Sequence, residues 1–172
     1  MPDPTALCGD DLDTWASLAT VLEWLPPALD AQLLRDAELT HFEYGILFAL
    51  ADADDRTLRM SVLAGFANSS LSRLSRAVSR LEARDWVSRR PDPADGRSTL
   101  ASLTSDGFAR YEQATPGHVS TVRSLVLDQL SQAQARQLRE ISRKVMGAIR
   151  DEDGWLPSAL TIRDTRSAVR SP

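Results

Sequence analysis

The chain has 172 residues, of which 42% are hydrophobic and 26% are charged, and its formal net charge is −4. This composition is typical of a globular domain with a core of its own, and no apolar run approaches the ~20 residues that a membrane span needs. A single cysteine cannot form an internal disulfide, and the N-terminus lacks the basic-then-apolar order of a secretory signal, so we expect a cytoplasmic protein.

The charge is distributed unevenly along the chain. Residues 1–55 carry twelve acidic residues and one arginine, whereas residues 56–97 carry nine arginines and four acidic residues. Affinity for nucleic acid depends on the local neutralisation of phosphates, so a basic segment matters more than the total charge. The overall acidity therefore does not exclude DNA as a partner.

Hydrophobic periodicity and turn residues divide the chain into helices and a few short strands. In chain order, the predicted elements are helices over 11–36 and 41–52, a short strand over 57–60, helices over 61–66 and 70–84, strands over 86–90 and 98–103, a long helix that begins after Thr104, and a helix over 132–150. Pro26 and Pro27 predict a kink or a short break in the first helix, and Pro116 predicts a kink in the long one. Thr40 and Glu43 form a predicted capping box.

The helix over 70–84 carries two stripes of opposite character. Its arginines recur at intervals of three or four residues and share one face: Arg73, Arg76, Arg80 and Arg84. The second stripe is aliphatic and lies about 130° away from the first on a helical projection: Leu71, Leu74, Val78 and Leu81. The aliphatic stripe can dock on a core while the guanidinium groups face an anionic partner.

A basic hairpin follows this helix. The strands over 86–90 and 98–103 alternate like an antiparallel pair, and Asp95-Gly96 is the predicted turn at the tip of the hairpin. A helix beside a basic hairpin is the arrangement of a winged helix-turn-helix that reads DNA. We therefore predict a mainly α fold with a small β wing, flanked by N- and C-terminal helices whose apolar stripes associate with a second copy of the chain.

This order of elements resembles the MarR family of bacterial transcriptional regulators over about residues 12–150. The resemblance is carried by short runs of residues: Leu63-Ala64, Ser75-Arg76, Leu81-Glu82, Trp86-Val87, Asp92-Pro93-Ala94-Asp95-Gly96-Arg97 and Leu103-Thr104-Ser105-Asp106-Gly107. Two positions depart from the family pattern, which often has a second arginine where Gly96 stands and a glycine where Asp85 stands. The resemblance implies a homodimer that reads a palindromic operator in double-stranded DNA. It also implies a repressor that is released from DNA by a small aromatic ligand or by oxidation of a cysteine.

The predicted organisation has four segments. They are a dimerisation helix at 1–36, a winged helix-turn-helix domain at 37–103, dimerisation helices at 104–150 and a loosely ordered tail at 151–172. The predicted DNA contacts lie on the helix and the wing: Ser69, Ser70, Ser72, Arg73, Arg76, Arg80, Arg89, Asp95 and Arg97. We expect Arg97 to enter the minor groove, with Asp95 orienting it through a charge-assisted hydrogen bond, and Arg84 to be a bystander.

Aromatic residues are candidates for an effector pocket between the terminal helices and the winged domain. They are Trp24, Phe42, Tyr44, Phe48 and Tyr111. Aromatic side chains at helical spacing also occur in an ordinary core, so the sequence is compatible with both an effector pocket and a plain core. Two histidines without a cluster of Cys or Glu at ligand spacing make a poor metal site, and no metal or other cofactor is expected.

Two other classes of function are alternatives to a DNA reader. An enzyme is disfavoured because the sequence has no nucleophile elbow, Walker-type loop, dinucleotide fingerprint or His-Glu-x-x-His motif. A winged helix that binds another protein stays open as an alternative. Such a module would present a mixed or apolar face, and its binding would not depend steeply on salt.

Overall fold

The computed structural model describes residues 6–153 of the chain, with side chains as far as residue 149. The elements are α1 (Gly9–Ala37), α2 (His41–Asp52), β1 (Thr57–Arg59), α3 (Met60–Phe66), α4 (Leu71–Glu82), β2 (Val87–Asp92), β3 (Asp95–Leu103), α5 (Ser105–Leu125) and α6 (Gln132–Asp153). The predicted mainly α fold with a small β wing is thus confirmed. Of the predicted tail, residues 154–172 lie outside the described part. None of the helices described is both long and apolar enough to cross a membrane.

Prolines lie inside two helices without ending either of them. Pro26 and Pro27 are interior residues of α1, so the short break considered at this point does not occur, and Pro116 is an interior residue of α5. Residues 21–24 of α1 are exposed. In the single chain, the carbonyl groups that lose a helical donor to the prolines therefore lie next to solvent, which lowers the cost of an interior proline.

The core of the winged part lies between α2, α3 and α4. Its fully buried side chains include Leu47, Leu50, Leu63, Leu74 and Val78. The predicted capping box at the start of α2 is confirmed, because the Thr40 hydroxyl accepts the Glu43 N–H at 3.1 Å and the Glu43 carboxylate accepts the Thr40 N–H at 3.0 Å. This reciprocal pair determines where α2 begins.

Leu71 does not belong to the buried stripe of α4, and its predicted place there is wrong. The buried face consists of Leu74, Ala77, Val78 and Leu81, whereas Leu71 is 55% exposed. At 100° per residue, Leu71 points about 70° away from the centre of that face. It also lies in the first turn, before the helix meets the core.

The three strands form one antiparallel sheet in the order β1-β3-β2, and the β2–β3 hairpin is the wing. The tip turn is Pro93-Ala94 rather than the predicted Asp95-Gly96, because Asp92 pairs with Asp95 across it. The Asp92 carboxylate accepts the Ala94 N–H at 2.9 Å. An aspartate before a proline that presets φ is a favourable start for a turn, which explains the shift of the tip by two residues.

A compact junction connects α4, the wing and α5. Asp85 adopts a left-handed backbone conformation with a φ of 59°, where a residue without Cβ would be unstrained. The Thr104 hydroxyl donates to the Asp85 carbonyl at 2.6 Å and accepts the Gly107 N–H at 3.0 Å, so that it caps α5. A Cβ on Gly107 would lie 2.0 Å from the carbonyl oxygen of Trp86. This approach explains why a glycine follows the cap.

Candidate DNA-binding surface

The outward face of α4 has Arg76 near its centre. At 100° per residue, Ser72, Arg76 and Ser79 point away from the buried stripe, and all three are exposed. Within residues 6–153, the Arg76 guanidinium has no hydrogen-bond or ion-pair partner. Arg76 is therefore a cation at the middle of an exposed helix face, free to accept an external anion.

Arg73 and Arg80 lie on the flank of α4 that faces α2, and both contact groups of the protein. The Arg80 Nε donates to Oε1 of Glu43 at 2.7 Å, and the Arg73 guanidinium lies 4.6 Å from the centre of the Phe42 ring. Together with Arg76, these side chains line an open cleft of about 290 Å³ between α4 and the ends of α1 and α2. Three members of the predicted arginine stripe thus line one surface, and two of them already contact other groups of the protein. The fourth member, Arg84, lies beyond the end of α4 and donates to the Glu38 carbonyl at 2.7 Å.

Glu43 is a buried carboxylate, 5% exposed, that connects α2 to α4. Burial alone raises its pKa, but the N–H of Thr40 and the guanidinium of Arg80 outweigh that effect and hold the pKa below its usual value. Glu43 therefore stays ionised, and Arg80 neutralises it. Less of the positive charge of Arg80 is consequently left to attract an external anion.

Arg89 fastens the wing to α4. Its Nε donates to Glu82 at 2.7 Å, and its two Nη atoms donate to the hydroxyls of Ser75 at 3.1 Å and Ser79 at 2.9 Å. The planar guanidinium thus spans one side of α4 through three partners. The predicted DNA contact at Arg89 is occupied by these bonds in the unbound protein.

The wing strand β3 carries Arg97 next to the tip. The Arg97 side chain is exposed and has no hydrogen-bond or ion-pair partner among the described residues. Asp95 accepts the backbone N–H of Arg97 at 3.1 Å and the hydroxyl of Ser98 at 2.8 Å. The expected bond from Asp95 to the Arg97 guanidinium is therefore wrong, and Asp95 shapes the backbone of the wing instead. The Ser98 hydroxyl, followed by the Arg97 N–H, lowers the pKa of Asp95.

A second ion pair, which sequence reasoning missed, holds the wing on its other side. The Arg59 Nε in β1 donates to Oδ2 of Asp92 at 2.7 Å, and the Asp92 side chain is 7% exposed. The Ala94 N–H, with Arg59, lowers the pKa of Asp92. The partners are 33 positions apart, so no local pattern in the sequence indicates the pair.

The predicted serine contacts lie around the start of α4. The Ser70 hydroxyl accepts the Arg73 N–H at 3.3 Å as the N-cap and lies 3.1 Å from the Ser72 hydroxyl. The Ser69 hydroxyl donates to the Ser70 carbonyl at 3.2 Å. Three hydroxyls thus surround the positive end of the α4 dipole, where phosphate groups are favoured.

Three of the five aromatic residues predicted for a pocket lie together. The ring of Tyr111 is centred 5.7 Å from that of Tyr44 and 6.3 Å from that of Phe48, and the Tyr44 hydroxyl is 3.1 Å from that of Thr115. Phe42 lies instead beneath Arg73, and Trp24 is 74% exposed on α1. Tyr44, Phe48 and Tyr111 belong to the core or pack against it.

A histidine pair lies where α1, α2 and α5 meet. The rings of His41 and His118 are centred 5.4 Å apart, and His118 is 7% exposed. Burial lowers the pKa of both imidazoles, and the proximity of His41 lowers that of His118 further. Neither Nδ1 atom has a hydrogen-bond partner among the described residues. Sequence reasoning did not bring these histidines together, because they are distant in the chain and follow no ligand spacing.

The fold and the sequence both match a known family. The sequence model of the MarR family matches residues 38–98. Sco3205, a MarR family transcriptional regulator from Streptomyces coelicolor whose crystal structure is a complex with DNA, is 40% identical at a TM-score of 0.82, over 86% of this chain and 92% of that one. The chain belongs to the MarR family. AbsC, another MarR family regulator from Streptomyces coelicolor, is 28% identical at a TM-score of 0.81, over 86% and 99% of the two chains.

Curated relatives of the MarR family match a shorter region. The transcriptional repressor YetL of Bacillus subtilis is 33% identical over 88 residues, which are 51% of this chain and 53% of YetL. The multiple antibiotic resistance protein MarR of Salmonella typhimurium is 36% identical over 66 residues, or 46% of its length. The chain thus spans about half the length of these curated relatives. The MarR family and its fold are those of transcriptional regulators rather than enzymes.

Proposed function

We propose that this chain is a homodimeric transcriptional regulator that binds a palindromic operator in double-stranded DNA, as a repressor of MarR type. In this proposal, α4 occupies the major groove and the wing reaches the minor groove. The observation that carries it is the free Arg76 guanidinium on the outward face of α4, beside a wing with an equally free Arg97. Guanidinium groups suit guanine edges and phosphate oxygens.

The predicted DNA contacts have different roles in this proposal. Arg76 is the candidate for base readout, and Arg97 is the candidate for the minor groove. Arg73 and Arg80 contact phosphates from the α2 side, while Ser69, Ser70 and Ser72 bind a phosphate at the start of α4. Arg89 and Asp95 act indirectly, because their hydrogen bonds hold the wing in the shape that presents Arg97.

Exposed apolar side chains on the terminal helices favour the proposed dimer. Several large apolar side chains of α1 and α6 are between 42% and 60% exposed: Leu12, Trp15, Leu18, Val21, Leu22, Leu138, Ile141, Val145 and Ile149. Monomeric proteins rarely expose so many apolar residues on the same elements, and a second copy is the simplest cover. We assign residues 1–36 and 104–150 to dimerisation and residues 37–103 to DNA reading.

Release by a small aromatic effector is a separate part of the proposal. Its candidate site is the group of Tyr44, Phe48 and Tyr111 at the junction of α2 and α5. Titrating a panel of aromatic carboxylates and phenols into the DNA complex tests it. Dissociation at concentrations that leave the fold intact supports an effector, and a complex unaffected by the whole panel contradicts this part alone.

Selection of fragments from a random DNA pool, followed by sequencing, tests the proposed function. We expect a palindrome with half-sites about 10 base pairs apart, since a dimer sets two reading helices in successive major grooves. Affinity is expected to fall steeply with salt. A reporter gene placed behind the selected operator then shows whether the protein represses it. Binding that is indifferent to salt, or the absence of any enriched sequence, contradicts a DNA reader and favours a protein-interaction module.

A further inference from the structure

An exposed leucine lies in the first turn of the helix proposed to read DNA. Leu71 is 55% exposed, whereas Leu74, Val78 and Leu81 on the same helix are fully buried. Ser70 caps the helix immediately before it, so the backbone that carries Leu71 is regular and firmly held. Leu71 is thus an apolar side chain presented outward by a rigid element.

The surroundings of Leu71 indicate what it faces. It lines a groove of about 310 Å³ between α4, the wing and the first residues of α3, and the other lining residues include Met60, Ser61, Ser75, Arg89, Arg97 and Thr99. In this groove the Arg89 guanidinium is already bonded to Ser75, and it holds Ser79 and Glu82 as well. Arg89 and Ser75 are therefore already paired within the protein, whereas the exposed Leu71 side chain and the Arg97 guanidinium are open to a partner.

We propose that Leu71 reads thymine in the operator by packing its side chain against a C5-methyl group. This inference rests on the proposed function, in which the first turn of α4 meets base edges in the major groove. The thymine methyl is the apolar group that base pairs present there. Leu71 then determines sequence preference at one position of each half-site, while Arg76 reads a neighbouring pair.

Removing the thymine methyl isolates this contact from every other one. In the operator obtained by selection, each thymine is replaced in turn by uracil, which has the same hydrogen-bonding groups but no methyl. We expect one position in each half-site where the replacement weakens binding of the native protein about fourfold, the effect of one buried methyl group. Replacement at both half-sites then weakens binding about fifteenfold, because the two contacts are independent.

The variant Leu71→Ala is expected to bind both versions of that operator equally, while Leu71→Met keeps the preference for thymine because it keeps an apolar side chain. Val62→Ala is a matched control, since Val62 is an exposed aliphatic residue of α3, at 43% exposure, outside this groove. It is expected to retain the preference. Circular dichroism and the slope of affinity against salt are expected to be the same for all variants.

The outcomes separate this inference from the proposed function. If no DNA is selected, the proposed function fails and the inference fails with it. If a palindrome is selected but no uracil replacement matters, or Leu71→Ala keeps the full preference, the protein binds DNA and Leu71 does not read it. A loss of the preference in Val62→Ala as well would also overturn the assignment to Leu71.

Discussion

The Nε atom of Arg80 donates to Oε1 of Glu43 at 2.7 Å, while Oε2 of the same carboxylate accepts the N–H of Thr40 at 3.0 Å. Glu43 thereby caps α2 and binds α4 through one side chain. An arginine predicted to bind DNA is therefore also part of the fold. Its neighbour Arg76 has no such partner among the described residues, and the two can be told apart by experiment.

Replacing Arg80 by alanine is expected to lower the free energy of unfolding by about 1–2 kcal/mol, because the buried Glu43 loses its partner. The loss is smaller than for a fully buried pair, since the Arg80 side chain is 57% exposed and solvent screens the interaction. Urea denaturation measures it. Arg76→Ala is the matched control, with an expected change within about 0.5 kcal/mol. Equal stabilities of the two variants would contradict a structural role for Arg80.

The variant Arg76→Ala also tests the proposed DNA contact. Arg76→Ala is expected to weaken operator binding by about 1–3 kcal/mol, because it removes the proposed contact in the major groove and leaves the fold intact. A gel-shift titration with the selected operator measures the affinity. Unchanged affinity of Arg76→Ala would remove this residue from the binding surface.

Arg97→Ala is expected to weaken binding and to reduce the slope of log affinity against log salt by about one for each subunit of the proposed dimer, because a cation that neutralises DNA phosphates from the minor groove is lost. Titrations at four or more salt concentrations measure the slope. Arg123→Ala serves as the control, since Arg123 lies in α5 and its exposed ion pair with Asp128 is remote from the wing in the chain. A slope that Arg97→Ala leaves unaltered argues against a wing contact.

Gly107→Ala is expected to destabilise the protein by about 1–3 kcal/mol, because the added methyl group collides with the Trp86 carbonyl and forces the wing away from α5. Thermal unfolding followed by circular dichroism measures the change. Gly45→Ala, in α2 with no atom within 4 Å of the new Cβ, is the control and is expected to gain up to about 1 kcal/mol from helix propensity. Similar effects at both glycines would refute a steric cause.

Asp85→Gly is expected to raise the free energy of unfolding by about 0.5–1 kcal/mol, since glycine adopts the left-handed conformation of this turn without strain. The hydrogen bond from Thr104 ends on the backbone carbonyl and is retained. Chemical denaturation of Asp106→Gly, in the first turn of α5, provides the contrast, with an expected loss. A destabilised Asp85→Gly would mean that the aspartate side chain has a role of its own.

The histidine pair makes stability depend on pH. Burial lowers the pKa of His41 and His118 below the ordinary value of 6.5, so the unfolded chain binds protons more readily than the native one. The stability contributed by the neutral pair is complete above pH 6.5 and decreases as the pH falls through the lowered values. Asp30 opposes the shift at His41.

Denaturation midpoints between pH 7 and pH 5 test this dependence, because carboxylates with lowered pKa values, such as Glu43 and Asp92, titrate below that range. We expect the midpoint to decrease on acidification in the native protein and to change less in His118→Gln. A midpoint that is constant over this range, or an equal decrease in the variant, would contradict the role of the pair.

Several features were predictable because they depend on residues a few positions apart. The capping box of Thr40 and Glu43 and the start of the long helix after Thr104 are confirmed. The single face of Arg73, Arg76 and Arg80 follows from helical periodicity in the same way. The tip of the wing was misplaced by two residues, because Asp-Pro and Asp-Gly both favour turns and only strand pairing decides between them.

By itself, the sequence determined the order of elements, the two-sided character of α4 and its basic wing, since these depend on chain-local periodicity and charge. The tertiary structure decided which of those charges are free. Glu43 and Arg80 are 37 positions apart, and Arg59 and Asp92 are 33 apart, so only packing brings them within 2.7 Å. An arginine that pairs with a distant carboxylate has part of its positive charge neutralised, and the local sequence pattern does not reveal such a pairing. Burial likewise depends on the assembled core. Leu71 is exposed because it lies in the first turn of α4, before the helix meets that core.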